Sequence, residues 1–289
     1  MVCEISNATI TIVGLGLMGG SLAAALSARR LCKRVVGVAR RRVTWETARD
    51  LRFIDQGTTE LAEGVAQADI VVLATPVGEI LAALGEIGPW LKPGCLVMDV
   101  GSTKRAICAA METLPEGVQP LGGHPMCGKE TSGLSVAEPT LYQDRVFVLS
   151  PLPRTAAEAL ALGHSLVTGI GARPVVLEAE RHDRAVAAIS HLPYLVAVTL
   201  VNAASDLAQV EPLCWQLAAG GFRDTSRVAA SDLHMMRDIL LTNREPVLQA
   251  LERAQAQLDT LTRCLRENDV EGLTAALQAA HDRRQEVVR

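Results

Sequence analysis

The chain has 289 residues, 49% hydrophobic, 21% charged and 3% aromatic, with a formal net charge of −4. That length allows one large domain or two modest ones. The weak negative charge excludes an electrostatic footprint for nucleic acid or an anionic membrane, and the scarcity of aromatic residues excludes a stacking platform for single strands. Cys3, Cys32, Cys95, Cys108, Cys127, Cys214 and Cys264 form no C-x-x-C pair and read as small core residues in a reducing, cytoplasmic compartment. The N-terminus shows no charged leader with a cleavage site, and no stretch reads as apolar enough over sufficient length to span a bilayer.

Thr9 to Leu26, TITIVGLGLMGGSLAAAL, predicts a buried strand, a glycine turn and a helix. Gly14, Gly16 and Gly19 stand at G-x-G-x-x-G spacing. In such a unit Gly14 allows the tight turn, Gly16 lets a pyrophosphate approach the backbone, and Gly19 packs helix against strand. Leu17 and Met18 open the helix, whose N-terminal N–H groups and dipole favour phosphate. A second strand over Val35 to Ala39 ends where an NAD site wants an acid for the ribose 2′-hydroxyl. Here Arg40, Arg41 and Arg42 stand in a row, with Thr44 close behind. Guanidinium groups suit a 2′-phosphate, so the site favours NADP; the competing reading is a solvated basic turn.

Val43 to Ile54 and Thr59 to Ala68 have helical composition, and Ile70 to Ala74 is a third strand. Its exit, Thr75-Pro76-Val77, either contacts cofactor or is a plain strand end with proline opening a helix. Glu79 to Ile87 predicts a helix and Leu96 to Val100 a fourth strand that runs into Gly101-Ser102-Thr103-Lys104. A helix over Ala106 to Leu114 follows, and an extended Pro120 to Gly123 then delivers His124. A strand over Arg145 to Leu149, a helix over Ala156 to Gly169 and a last strand over Pro174 to Leu177 complete an alternating pattern. Residues 1–177 therefore read as a doubly wound, Rossmann-type α/β dinucleotide-binding domain.

Residues 178–289 read as an all-helical second domain for substrate and dimerisation. Arg181 to Ala204 is one apolar segment, bent or broken at Pro193. Pro212 to Ala219 reads as a helix ending at Gly220-Gly221, before the polar stretch FRDTSR. Helices follow over Ser231 to Thr242, Glu245 to Arg266 and Val270 to Ala280. Val247, Leu251, Ala254, Leu258, Leu261 and Leu265 form a heptad seam. It fits either a second copy, hence an expected homodimer, or an intramolecular bundle.

A nicotinamide enzyme needs a group that takes a proton as hydride leaves, and histidine suits this at neutral pH. His124 lies on the cofactor side of the sheet, where ligands bind in open α/β folds. His191 sits at the proline break and reads equally well as ligand or structure. His182 and Asp183 begin the long helix and read as its cap. Arg223 and Arg227, four apart, either hold a substrate carboxylate or pair with Asp224. No metal-ligand set has suitable spacing.

GLGLMGGSL, ATPV, DVGSTK, GGHPM-x-G, SHLPY and GFRDTSR occur in this order, and together they resemble the prephenate/arogenate dehydrogenases of tyrosine biosynthesis. The run VARRRVT, together with DTSR, is similar to the cyanobacterial-type, NADP-dependent arogenate dehydrogenases. The resemblance implies oxidative decarboxylation of arogenate to tyrosine, with prephenate as the alternative substrate. It implies that His124 accepts a hydrogen bond from the 4-hydroxyl and that Ser102 places this hydroxyl beside the nicotinamide. It also implies that His191 and Arg227 bind substrate, with Lys104 and Arg223 as further contacts, and that Arg40 and Thr44 hold the 2′-phosphate. The chain departs from the family at Ala39, where a serine is expected and Arg41 would compensate, and at Lys129, where a small or hydroxyl residue is expected. A β-hydroxyacid dehydrogenase of similar plan needs a lysine in the helical half, and there is none. A non-catalytic NADP sensor would leave His124, Ser102 and Arg227 without work.

Overall fold

The computed structural model describes residues 4–129 and 131–287. Its centre is β1 (Thr9–Val13), a fully buried strand between β2 (Arg34–Val38) and β4 (Ile70–Leu73), parallel to both. The eight-stranded sheet runs β3 (Gln56–Thr58), β2, β1, β4, β5 (Leu96–Asp99), β6 (Gln119–Pro125), β7 (Val146–Pro151), β8 (Arg173–Val176). Its inner strands are buried along their length because both faces are covered, as parallel sheets require. On one face α1 (Leu17–Arg29) and α6 (Ala157–Gly169) bury Leu22, Leu26, Leu162 and Leu166. On the other, α4 (Val77–Ile87) and α5 (Arg105–Met111) bury Ile80, Leu84, Ile107 and Met111.

Two features of the sheet differ from the expected pattern. The segment read as two helices also holds β3 (Gln56–Thr58), between α2 (Arg42–Asp50) and α3 (Leu61–Val65). This polar three-residue edge strand has too little apolar pattern to be seen in the sequence. The sheet is also mixed. β5 (Leu96–Asp99) and β6 (Gln119–Pro125) are parallel, but β7 (Val146–Pro151) returns antiparallel beside β6, and β8 (Arg173–Val176) pairs parallel with β7. Among the described residues the β6–β7 connection holds no α-helix to serve as a crossover, and the chain returns in the opposite sense.

After Val176 the described elements are helices. The Pro193 segment is neither broken nor a plain α-helix. α7 (Ala179–Val186) passes through a π-helical turn (Ala187–His191) into α8 (Leu192–Ala208), with Pro193 in the first turn of α8. Pro193 lacks an N–H to give the preceding turn, and the wider π turn just before it accommodates the proline ring and the lost bond without breaking the helix. The continuous helix Ala179–Ala208 corrects the expectation that no stretch could span a bilayer, since it is long and apolar enough by length and composition. Its His182, Asp183 and His191 are nevertheless buried in protein.

The Gly220-Gly221 pair does not end a helix. It starts α9 (Gly220–Ser226), so FRDTSR is largely helical. α10 (Leu233–Thr242), α11 (Arg244–Glu267) and α12 (Val270–Val287) follow, and Met236 and Ile239 of α10 join the core beside α4. Along the α11 seam Val247 is buried, while Leu251, Leu258 and Leu265 are 37%, 55% and 67% exposed. The seam thus packs at one end and lies open along the rest. Cys95, Cys108 and Cys264 are buried and Cys32, Cys127 and Cys214 half-buried; Cys3 lies outside the described residues.

Candidate active site

The glycine turn is built as its spacing predicts. Gly14 has φ +97°, a left-handed conformation that side chains resist, and a Cβ there would also meet Thr75 and the Ala74 carbonyl. A Cβ on Gly19 would collide with the Gly14 carbonyl, so only glycine lets α1 approach β1. Around a Cβ on Gly16, by contrast, nothing lies within 4 Å, and Gly16 opens onto a cavity. Among the described residues no side chain caps α1 and no acid sits in its first turn, so its N-terminus faces the cavity with its dipole unopposed. Thr75 Oγ1 is buried without a hydrogen-bond partner among the described residues, beside Gly14. An orphaned hydroxyl, a bare glycine and an uncapped helix along one wall fit a dinucleotide pyrophosphate.

This cavity, of roughly 650 Å³, lies between the sheet and the helical half. Gly16, Leu17, Met18, Arg40, Thr75, Pro76, Ser102 and His124 line the sheet side, and Arg227, Asp232 and Met235 the helical side. Arg40 stands at the rim, its guanidinium 3.4 Å from the Glu79 carboxylate. Lys129 also lines the cavity, and its ammonium is held 3.0 Å from Glu138 and by the Val136 carbonyl at 3.0 Å.

Two buried carboxylates position the loops that carry Ser102 and His124. Asp99, at the end of β5, accepts from the Gly101 amide at 2.7 Å and from the Gly123 amide at 2.9 Å. Lys104 folds back to ion-pair with Asp99 and donates to the Gly123 carbonyl at 2.6 Å. The exits of β5 and β6 are thereby clamped together. Burial raises the Asp99 pKa, opposed by the Lys104 ammonium and the two amides. Asp183 accepts from the amides of Lys104 and Arg105 at 2.7 and 2.9 Å. It therefore caps α5 rather than its own helix, which corrects the expected role of the His182-Asp183 pair.

His124 is half-buried, and its Nδ1 lies 2.7 Å from His182 Nε2. His182 Nδ1 in turn lies 2.8 Å from Asp183 Oδ1. Burial, reinforced by the neighbouring His182, Lys104 and His191, holds the His124 pKa well below the usual imidazole range. His124 is thus neutral at physiological pH and able to take a proton. His191 is buried; its Nδ1 lies 3.1 Å from Asn243 Nδ2, which also donates to the Asp183 carbonyl at 2.8 Å.

Several expected ligands do not line the cavity. Lys104 is fully buried in its ion pair, so the reading of it as a substrate contact is corrected. His191 and Arg223 lie outside the lining, the first enclosed beside Asn243 and the second on the exposed side of α9. Of the basic run only Arg40 lines the cavity: Arg41 is exposed at the start of α2, Arg42 pairs with Glu46, and Ala39 and Thr44 are not among the lining residues. Arg41, like Ala39, is not among the residues that line the cavity. Asp232 and the His182-Asp183 pair were not anticipated at the site.

Residues 22–176 match the family model described as the nucleotide-binding domain of prephenate dehydrogenase, and residues 178–279 the one described as its dimerization domain. The chain belongs to the prephenate dehydrogenase family. It is similar to the prephenate dehydrogenase of Bacillus subtilis strain 168, with 34% identity over 96% of this chain and 75% of that one. Among solved structures, prephenate dehydrogenase from Aquifex aeolicus, in complex with hydroxyphenyl propionate and NAD+, superposes with a TM-score of 0.90. The two are 30% identical, over 96% of this chain and 98% of that one. Synechocystis arogenate dehydrogenase superposes with a TM-score of 0.85 at 33% identity, over 96% and 99% of the two chains. This prephenate dehydrogenase family member is therefore an oxidoreductase built on a nucleotide-binding domain.

Proposed function

We propose that the protein oxidatively decarboxylates arogenate to tyrosine with NADP. In this reading residues 1–177 form the cofactor domain and 178–289 the substrate and dimer domain. NADP, when bound, supplies the acceptor for the hydride that leaves C4 of the ring. His124 accepts the proton of the 4-hydroxyl, which breaks the O–H bond as the carbonyl begins to form. Ser102 holds that hydroxyl in line. Arg227 pairs with a substrate carboxylate. Loss of CO2 from the ring carbon then completes aromatisation.

The observation that carries the reaction is the cavity itself: His124, Ser102 and Arg227 share it with the glycine turn. Arg40 at the same rim favours a 2′-phosphate, hence NADP. Asp232 favours arogenate, because a carboxylate on the substrate wall suits a side-chain ammonium. Lys129 favours a second reading, prephenate, whose keto acid lacks that ammonium. The Lys129 charge is already engaged by Glu138, which is why arogenate is put first.

Purified protein mixed with arogenate or prephenate, and with NADP or NAD, is followed by absorbance of the reduced cofactor. The highest kcat/KM is expected for arogenate with NADP. No reduction in any pairing overturns the reaction, and prephenate with NAD winning overturns both refinements. The open seam of Leu251, Leu258 and Leu265 supports a homodimer, for which light scattering should give the mass of two chains. A single-chain mass overturns it.

A further inference from the structure

The hydrogen-bond chain behind His124 has a direction that its partners determine. Asp183 Oδ1 faces the Lys104 N–H at 2.7 Å and Oδ2 faces the Arg105 N–H at 2.9 Å. A backbone N–H can only donate, so both oxygens act as acceptors. His182 Nδ1, 2.8 Å from Oδ1, is then the donor in that contact. A neutral imidazole that donates from Nδ1 accepts at Nε2. His182 Nε2 lies 2.7 Å from His124 Nδ1, so His124 carries its proton on Nδ1. Its Nε2 is left with a lone pair, and His124 lines the cavity.

From this we infer that His182, anchored by Asp183, is a positioning residue that fixes the tautomer and ring orientation of His124, so that Nε2 is the nitrogen offered to substrate. The inference rests on the proposed role of His124 as proton acceptor and adds to it which nitrogen acts and what holds it. His182 touches no substrate. It is buried, and its ring meets that of His124 edge-on at 76° with centroids 5.0 Å apart, a geometry that aims Nε2 at the neighbouring Nδ1. When His124 takes a proton at Nε2, the Nδ1–H remains donated to His182, and the resulting cation keeps a partner inside a site that disfavours charge. If the tautomer were reversed, Nε2–H would face the substrate hydroxyl and could accept nothing. The Asp183 carboxylate has a double task. By capping α5 it ties the chain to the β5 exit that carries Ser102, and by orienting His182 it sets the group on the β6 exit.

Two variants and one spectrum test the idea. His182→Phe keeps a ring of similar shape but removes the acceptor, whereas His182→Gln keeps an oxygen that can accept from His124 Nδ1. For His182→Phe kcat should fall roughly 10- to 100-fold with KM for substrate changed less than about twofold, and His182→Gln should regain most of the loss. With 15N-labelled histidine, and His124 assigned by its loss in His124→Asn, wild-type His124 should show a protonated Nδ1 and a bare Nε2. His182→Phe should shift the His124 signals toward the opposite tautomer. A wild-type His124 protonated at Nε2 overturns the proposal even if the variants do not fold. So does a His182→Phe enzyme of unchanged kcat. A wild-type protein without dehydrogenase activity, but with the expected tautomer, overturns the proposed reaction and leaves the inferred geometry standing.

Discussion

Arg40 and Glu79 meet at the rim of the cavity, guanidinium to carboxylate, at 3.4 Å. The Arg40 side chain is 88% exposed, so this pair contributes little to stability and exchanges readily for a stronger anion. A 2′-phosphate carries more charge than Glu79 and presents several acceptor oxygens. Arg40→Ala should therefore raise KM for NADP by about tenfold and leave KM for NAD almost unchanged, since one charge-assisted contact contributes roughly 1.4 kcal/mol or more. Glu79→Gln should lower KM for NADP, because Arg40 loses its competing partner. Steady-state kinetics with both cofactors measures this, and equal effects of Arg40→Ala on the two would assign Arg40 to the solvated surface.

A proton acceptor that is already neutral sets where activity fails in acid. The His124 pKa lies well below 6.5, first because of burial and then because of its neighbours His182, Lys104 and His191. The acidic limb of the kcat/KM profile is expected well below pH 6.5 rather than near neutrality. His124→Asn should cut kcat by a factor of about 10² or more while cofactor affinity, measured by fluorescence titration, holds. A limb centred at neutral pH would show that another group controls the proton.

Lys104 tests the clamp beneath the site. Its ammonium lies on Asp99 with both side chains fully buried. Lys104→Met leaves the carboxylate without its counter-charge, at a cost of about 3–5 kcal/mol. The urea midpoint should drop accordingly. Adding Asp99→Asn to Lys104→Met should restore part of the stability, since the amide carries no charge. Because Asp99 also receives the Gly101 and Gly123 amides, kcat should fall in the single variant even where the protein stays folded.

Stability should itself depend on pH through His191. Its pKa is pushed down to about 4 from 6.5, chiefly by burial and secondarily by His182, with Asp183 opposing. Above pH 6.5 the folded and unfolded states are both neutral at this residue and its contribution is flat. Below that, the unfolded chain binds a proton that the folded chain refuses, so stability falls until pH reaches about 4. The full loss is on the order of 3 kcal/mol. Urea midpoints at stepped pH should decline across this window, and His191→Gln should decline less steeply. Equal slopes for the two proteins would remove His191 from the account.

The nucleotide half of the fold is legible because β1, β2, β4 and β5 are apolar runs and Gly14, Gly16 and Gly19 stand at a recognisable spacing. β3 escaped because Gln-Gly-Thr shows no alternation, and the reversed sense of β7 escaped because a single strand's pattern is the same in either direction. At the site, the residues that face the cavity from strand exits, Ser102 and His124, are legible. Lys104 is not, because its partner Asp99 lies behind the loop and a lysine after a strand exit resembles an anion ligand. The His182-Asp183 pair left one clue: Asp183 lies three residues before Val186 on the buried face of α7, an expensive place for a carboxylate without tertiary partners. Asp232 was not singled out in the sequence, and it also caps α10, accepting from the Met235 amide.

The π turn has a consequence for how this helix tolerates change. Each residue of a regular α-helix advances about 100°, so the extra residue of a π turn rotates all that follows by about that angle. Asn243 grips both sides of the turn, through the Asp183 carbonyl and His191 Nδ1. Deleting one residue from Ala187–His191 would remove the wide turn ahead of Pro193 and take His191 out of reach of Asn243. The helix is therefore one residue longer than regular geometry requires, and the surplus is a register setting. Shortening it would lose the alignment of the two buried histidines and leave Pro193 inside a regular helix that it cannot complete.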